Sequence, residues 1–436
     1  MNPLIATLAL ILLALLGSRL SFSTQRRGLG PRLLFRTGVH FLGLGFLLGP
    51  AVAGLLSPGA TVALFPFLAL GLGWVGFHFG LQFDLALLRQ FPLSHHVMAM
   101  GQALLTLGIF LALAYGAVGA AGFQDQVPFP ILLGAAAAAA VTTPAGIAMV
   151  SSNFMVKGPV RDLLFFIASV DALVGIVALQ VTYALYRPVG SLAPLFGGLD
   201  QLILVAVAAG MGVVLGIVFV WLVRQRPAAE ELVLYVLGIC AFAAGAALQW
   251  GLSPLFVALV MGAVVGNLGQ DSTRVFRLLE RWEKPVYLSF LLLAGALLQP
   301  PTLLLVGLAV GYALLRALAK GLGAGVMAVA VPASFPVPKR LGFGLIPQGG
   351  ISLAMAVSGV LMYADLQVGG ADAEAALFTI IVIGVLLSEL AGPFLTINLL
   401  RRAGELSPDV EKALARGDTR SAERQAVRTA HGSDHL

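Results

Sequence analysis

Residues 163–186 read LLFFIASVDALVGIVALQVTYALY, an apolar run long enough to cross a bilayer as one helix. Asp171 is the only charged residue within it. A carboxylate at the centre of a membrane helix costs about 2.5–3.5 kcal/mol on insertion scales, and such residues commonly handle ions or protons. The run therefore predicts a helical membrane protein and makes Asp171 the first candidate for its function.

The rest of the chain has the composition of a protein that crosses the membrane many times. Of 436 residues, 59% are hydrophobic and 11% are charged, whereas about a quarter are charged in soluble domains. A single cysteine, Cys240, provides neither a disulfide framework nor a cysteine-based metal site. The sequence has no His-Glu-x-x-His motif and no P-loop, so we expect neither enzymatic activity nor a cofactor.

Apolar runs separated by turn or charge clusters predict an all-α polytopic protein with about thirteen membrane-spanning helices. The approximate limits are 2–18, 33–56, 61–83, 97–120, 129–151, 160–186, 200–223, 231–249, 252–268, 285–299, 302–331, 341–364 and 375–400. We expect the first span to be retained, because no basic residue precedes its apolar core.

The basic residues predict the orientation of these spans. Of the 26 Lys and Arg residues, 23 lie in the connections after odd-numbered spans or in the C-terminal tail, and only Arg187 lies in an even-numbered connection. The positive-inside rule then places the N-terminus outside and the C-terminus in the cytoplasm. The net charge of +6 is therefore a topology signal and not a nucleic-acid surface.

Four features of the first half recur in the same order in the second half, roughly 200–220 residues later. They are the glycine pairs Gly45/Gly49 and Gly262/Gly266, the small residues around Gly80 and Gly295, the interruptions at 142–146 and 347–350, and the acids Asp171 and Glu389. We therefore predict two inverted six-helix repeats in a transmembrane domain of residues 1–402. The repeats are about 1–186 and 231–402, joined by the single helix 200–223, and residues 403–436 form a short polar cytoplasmic tail.

Spans 5 and 12 both contain helix breakers, namely Pro144, Gly146, Pro347, Gly349 and Gly350. Broken spans at matching places in inverted halves are the best sequence indication of a transporter's binding site. Freed carbonyls and half-helix ends there face an ion where they line a polar cavity. Four side chains near the breaks offer further oxygens: Thr142, Thr143, Gln348 and Ser352.

The other buried charges are candidate partners of Asp171. Arg316 and Lys320 lie four residues apart, on one face of span 11. Lys320 either pairs with an acid or compensates half-helix carbonyl ends, whereas Arg316 either has a structural role or acts at the site. Glu389 is either a structural partner of these cations or a second titrating group.

The chain resembles bacterial monovalent cation:proton antiporters, the branch that includes sodium/proton antiporters and potassium-efflux systems. The similarity runs over nearly all of 1–402. It is carried by Phe46–Pro50, Gly80–Asp84 (with Gln82 where the family usually has an acid), Thr143–Ala145, Ala168–Asp171, Leu252–Gly262, Leu293–Gly295, Arg316–Gly323 and Pro347–Gly350.

The resemblance implies a homodimer in which a core domain with two crossing broken helices slides against a scaffold by an elevator motion. It further implies that Asp171 is the cation and proton carboxylate, and that Lys320 is its basic partner. Two departures from the family pattern matter. Val170 stands where many electrogenic members have a second acid, which favours electroneutral exchange unless Lys320 or Glu389 also releases a proton on cation binding. The potassium-efflux members carry a nucleotide-binding regulatory domain, which we do not expect in the short tail.

The sequence thus predicts a secondary antiporter of the bacterial inner membrane that exchanges H⁺ for Na⁺ or K⁺. Asp171 would bind either Na⁺ or K⁺, and the sequence leaves the choice between them open. Two alternatives remain at this stage. One is a sodium-coupled organic-anion symporter, because bile-acid-type carriers share crossing broken helices; the other is a membrane sensor that transports nothing.

Overall fold

The structure is a computed structural model that describes residues 38–55, 63–125, 127–186, 201–269, 272–363, 367–368, 371–416, 422–423 and 425–426. In chain order the helices are α1 (His40–Leu48), α2 (Phe65–Leu81), α3 (Leu85–Leu88), α4 (Leu93–Ala120), α5 (Phe129–Ala140), α6 (Pro144–Asn153), α7 (Pro159–Leu185), α8 (Gln201–Val223), α9 (Ala229–Gln249), α10 (Pro254–Leu268), α11 (Ser272–Gly295), α12 (Leu303–Ala330), α13 (Gly349–Met362), α14 (Ala373–Arg402) and α15 (Pro408–Ala415). A 3₁₀ helix, Leu341–Leu345, precedes α13.

The predicted fold class is confirmed. Every predicted span from the second to the thirteenth contains a helix, while the first, 2–18, lies outside the described residues. Within the described part of the chain, seven helical stretches are long and apolar enough to cross a membrane, and four shorter apolar helices accompany them. Among the described residues, two strands, β1 (Gln367–Val368) and β2 (Ala371–Asp372), form a two-residue antiparallel ladder just before α14.

Two element boundaries differ clearly from the predicted ones. Helix α11 begins at Ser272, well before the predicted start at residue 285, because the amphipathic segment ahead of Pro285 continues the same helix. The predicted tail contains α15, whose Val410 and Ala413 are buried against the bundle. Part of the predicted polar tail is therefore packed rather than solvated.

The glycines that indicated a repeat lie where helices touch most closely. Gly45 of α1 packs on the backbone of α11 beside Gly295, and Gly262 of α10 packs on the backbone of α2 beside Gly80. A Cβ atom at any of these four positions would collide with backbone of the facing helix. The contact between Gly45 and Gly295 therefore has the same form as the contact between Gly262 and Gly80, which is expected of two structurally related halves.

Helix contacts divide the bundle into two groups. Helices α4 to α7 pack with α12, α13 and α14, and these form what we call the core group. Helices α1, α2 and α8 to α11 pack on one another and form the scaffold group. Within the core group, α4 packs on α7 as α12 packs on α14, and α5 packs on α7 as α13 packs on α14. The exact limits of the repeats stay a prediction.

Candidate functional site

Both predicted interruptions are present, and the two broken helices cross there. Helix α5 ends at Ala140, Val141 and Thr143 are extended, and Pro144 opens α6. Proline disfavours the helical conformation of the residue before it, which explains the extended Thr143. In the second break, Gly349 opens α13 with a φ of +66°, where glycine is favoured. The Thr143 N–H donates to the Pro347 carbonyl at 3.0 Å and ties the two breaks together.

Asp171 lies beside this crossing, in the middle of α7, and its side chain is completely buried. Its Oδ2 accepts hydrogen bonds from the Thr142 hydroxyl at 2.7 Å and from the Lys320 ammonium at 2.5 Å. Its Oδ1 accepts a hydrogen bond from the Gln102 amide. The carboxylate is therefore held by three donors from three other segments of the core group.

Lys320 is the charge partner of Asp171. Its side chain is also fully buried, and its Nζ donates to the Ala140 carbonyl at 2.6 Å in addition to Asp171. Ala140 is the last residue of α5, whose final carbonyls have no partner within the helix and carry partial negative charge. Both contacts expected of Lys320, with an acid and with a half-helix end, are thus present, and its part in transport stays a prediction.

Arg316 binds backbone rather than Asp171. Its guanidinium donates to the carbonyls at both helix breaks: Ala139 (3.1 Å), Val141 (2.6 Å), Leu345 (3.3 Å) and Ile346 (2.7 Å). Because five N–H groups in a planar fork match several carbonyls at once, one arginine satisfies the ends of both half-helices. This geometry supports the structural interpretation of Arg316.

The remaining candidates near the breaks lie around the crossing without touching Asp171 in the hydrogen bonds of the described residues. The Thr143 hydroxyl accepts from Ala145 N at 3.4 Å and caps α6. The Gln348 amide donates to the Ala138 carbonyl at 3.0 Å and to the Tyr312 hydroxyl at 2.7 Å. The Ser352 hydroxyl donates to the same Ala138 carbonyl at 3.4 Å.

Glu389 is fully buried in α14 and lies close enough to Tyr287 of α11 to interact with it electrostatically. The hydrogen bonds described for Lys320 and Arg316 end on Asp171 and on backbone carbonyls. The interaction with Tyr287 places Glu389 on the side of α14 nearer the scaffold group, and its role stays a prediction.

Sequence reasoning missed Gln102, which lies in α4 and is fully buried. Its signal was weak, because a single neutral amide in a long apolar helix is common. Thr106, one turn later, donates to the Gln102 side-chain oxygen at 3.5 Å. The Gln102 amide carries both a donor and an acceptor, so a rotation would offer its oxygen to a cation at Asp171.

Carboxylate, hydroxyl and backbone carbonyl oxygens, from Asp171, Thr142 and Ala140, converge at this point, and oxygens are the ligands that hard cations prefer. The site can also hold a proton, on Asp171 or on Lys320. A buried carboxylate–ammonium pair at the crossing of two interrupted helices, inside an otherwise apolar bundle, defines a secondary transporter of the crossing-helix class.

The sequence profile of the sodium/hydrogen exchanger, transmembrane, family matches residues 8–401. The chain therefore belongs to this family, a family of transporters and not of catalytic enzymes. It is a multi-pass membrane cation:proton antiporter whose substrates are a monovalent cation and the proton.

Solved structures agree with the fold. The sodium proton antiporter MjNhaP1 from Methanocaldococcus jannaschii, at pH 8, superposes with a TM-score of 0.64 at 18% identity, covering 92% of this chain and 100% of that one. A second structure of MjNhaP1, from an electron-microscopy map, gives a TM-score of 0.62 at 19% identity, covering 94% and 100%. No curated protein sequence matches the chain.

Proposed function

We propose that the protein exchanges protons for Na⁺ or K⁺ at a single site built on Asp171. The observation that carries this proposal is the fully buried contact between Asp171 and Lys320, at 2.5 Å, beside the crossing of the two broken helices. The Thr142 hydroxyl oxygen contacts the carboxylate, and the Gln102 amide, which donates to it in this structure, would offer its oxygen to a cation after a rotation. Ion selectivity between Na⁺ and K⁺ depends on the final spacing of these oxygens.

The ion pair between Asp171 and Lys320 determines how the cation flux is coupled to the proton flux. An ionised Asp171 paired with a protonated Lys320 is neutral overall, so this form of the core can cross the membrane without a metal cation. A cation that binds Asp171 must displace the ammonium group. If Lys320 then releases its proton, the cation-bound form is neutral as well, and one proton leaves for each cation that binds.

This cycle predicts electroneutral exchange of one cation for one proton. Val170 precedes Asp171, so α7 has no adjacent acid to take up another proton. Addition of cation to the protein on a solid-supported membrane should then give no transport current. A sustained current would show that Asp171 takes up a proton in addition to the one on Lys320, or that Glu389 titrates too.

We further propose that the core group moves against the scaffold group as an elevator. The site lies wholly within the core group, on α4, α7, α12 and the α5–α6 break, so it can travel as a unit. We also propose that the chain contains two inverted repeats, that it forms a homodimer and that it lies in the bacterial inner membrane. In the proposed orientation the N-terminus lies outside and the C-terminus lies in the cytoplasm.

The direct test uses purified protein in liposomes with a trapped pH dye, pulsed with Na⁺, K⁺ or Li⁺. We expect each transported cation to drive proton movement in the opposite direction, and the comparison of initial rates gives the cation preference. Proton movement that needs an added organic acid would instead favour the symporter. If folded protein shows no proton movement with any of the three cations, the result would contradict the proposal and favour a sensor.

A further inference from the structure

A second buried carboxylate lies in the core group, far from Asp171. Glu374, in the first turn of α14, is only 4% exposed and lines a cavity of about 20 Å³ between α5, α7, α13 and α14. This volume is room for roughly one water molecule or one dehydrated monovalent cation. The mechanism proposed above makes no use of this residue.

The cavity wall offers further oxygens beside the carboxylate. The Tyr183 hydroxyl donates to Ser358 Oγ at 3.1 Å, and the Tyr363 hydroxyl donates to the Tyr186 carbonyl at 2.5 Å. Each phenol has thereby used its single proton, which leaves its oxygen lone pairs free to accept or to coordinate. Glu374 lies close enough to both tyrosines to interact electrostatically with them.

Glycine brings the carboxylate close to the backbone of α13. A Cβ atom at Gly359 would lie 3.0 Å from Glu374 Oε2, so the carboxylate rests against the last turn of that helix. The C-terminal carbonyls of a helix carry partial negative charge. Their proximity to a carboxylate makes the cavity an electronegative place, which favours a cation.

The cavity lies beside the C-terminal part of α7, away from Asp171. Leu179, Thr182 and Tyr183 of α7 line it, and Thr182 is about 16 Å from Asp171 along the helix at 1.5 Å per residue. In the proposed orientation this end of α7 faces the outside. Passage of an ion through more than one site requires binding that is favourable enough for entry and weak enough for release.

We propose that Glu374, with the hydroxyl oxygens of Tyr183 and Tyr363, forms an outer loading site that binds the transported monovalent cation before it reaches Asp171. The inference rests on the proposed antiport and on its orientation. A carboxylate at the entrance raises the local cation concentration and speeds loading from that side. It does not take part in loading from the cytoplasm.

The test compares right-side-out and everted membrane vesicles. Glu374→Gln should raise the apparent KM for external cation about tenfold in right-side-out vesicles, in line with electrostatic focusing, and leave it within about twofold in everted ones. Glu374→Asp should lie between wild type and Glu374→Gln. Asp125→Asn removes an exposed acid from the connection between α4 and α5, on the same side, and serves as the matched control. An unchanged KM in both vesicle types, or an equal change in both, would overturn the loading site.

A binding measurement separates this inference from the antiport proposal. Radioactive Na⁺ binding to detergent-purified Asp171→Asn should show a weak residual site that the double variant Asp171→Asn/Glu374→Gln lacks. Equal binding by the two variants would refute the loading site even if the wild type exchanges ions normally. Absent exchange by the wild type, with residual binding lost only in the double variant, would refute the antiport and keep the site.

Discussion

Arg316 is the side chain on which the crossing depends most. It is fully buried and donates to four backbone carbonyls, which belong to the ends of two interrupted helices. A buried acceptor left without a donor costs about 1–3 kcal/mol. The guanidinium thus stabilises a backbone conformation that an apolar environment would otherwise not allow.

Arg316→Leu should therefore lower the free energy of unfolding by about 3 kcal/mol or more, since several carbonyls lose their donor together. Arg316→Lys should recover only part of this, because an ammonium lacks the planar fork. Thermal unfolding in detergent measures both variants, with Arg340→Leu, which replaces an exposed arginine, as the control. If Arg316→Leu were as stable as Arg340→Leu, the structural role of Arg316 would be wrong.

Gln102 should tune cation binding without being essential. Gln102→Leu removes the amide beside Asp171 Oδ1, and the loss of one hydrogen-bonding group of about 1.4 kcal/mol corresponds to a tenfold weaker cation affinity. The expected result is a higher apparent KM for the cation with a maximal rate close to wild type. Thr396→Val, which removes a buried hydroxyl bonded to the Gly344 carbonyl, is the control. A lost maximal rate with unchanged KM would contradict a ligand role.

At the scale of elements, the start of α7 is capped by a residue far along the chain. Glu405 accepts hydrogen bonds from the Val160 N–H at 2.6 Å and the Arg161 N–H at 2.9 Å. A carboxylate at a helix N-terminus binds free N–H groups and complements the helix dipole. The contact ties the segment after α14 to the helix that carries Asp171.

Glu405→Ala should destabilise the protein by about 1–2 kcal/mol, the usual range for a lost N-cap. Gly158→Ala should have a similar effect, because a Cβ atom at that position would collide with the Glu405 carboxyl group. Thermal unfolding compares them with Glu411→Ala, which removes an exposed acid of α15. Equal melting temperatures for Glu405→Ala and Glu411→Ala would argue against the cap.

The sequence alone was sufficient to predict the features that depend on rare charges and on helix-breaking residues. Asp171 and Lys320 stood out because charge is rare in apolar helices, and Pro144 and Pro347 marked the breaks because proline interrupts helical hydrogen bonding. Gln102 did not stand out, since a neutral amide carries no comparable signal. The hydrogen-bond acceptors of the Arg316 guanidinium could not be predicted, because they depend on which backbone carbonyls are left without partners where the two broken helices cross. Only the three-dimensional structure shows this.

At the scale of the whole molecule, two hydrogen bonds join the core group to the scaffold group at one end. Gln180 Oε1 of α7 accepts from the Ser253 N–H at 2.8 Å, and Thr379 Oγ1 of α14 accepts from the Gln299 N–H at 3.0 Å. In the proposed orientation both lie toward the outside. At the opposite end a surface pocket of about 470 Å³ is lined by residues of α6, the turn after it and α7, Ser152 among them. We expect the two hydrogen bonds to hold the core group against the scaffold group on the outer side, and so to favour a state closed to the outside.

Gln180→Leu combined with Thr379→Val should shift the protein toward the state open to the outside. Two hydrogen bonds of about 1 kcal/mol each correspond to a roughly 30-fold change in the ratio of the two states. Maleimide labelling of Ser152→Cys, in a Cys240→Ala background, should become slower, because the proposed elevator motion carries this cytoplasmic end of the core group toward the membrane. Thr396→Val again serves as the control. Faster labelling, or no change, would contradict the assignment of the two hydrogen bonds to a closed outer side.

The central claim is that exchange runs through Asp171. Proteoliposomes with a trapped pH dye test it most directly when wild type, Asp171→Asn and Asp162→Asn are pulsed with the same cation; Asp162 lies in the first turn of the same helix and is exposed. The account predicts proton movement for wild type and Asp162→Asn, and none above protein-free liposomes for Asp171→Asn. Cation-driven proton movement by folded Asp171→Asn at the wild-type rate would contradict it.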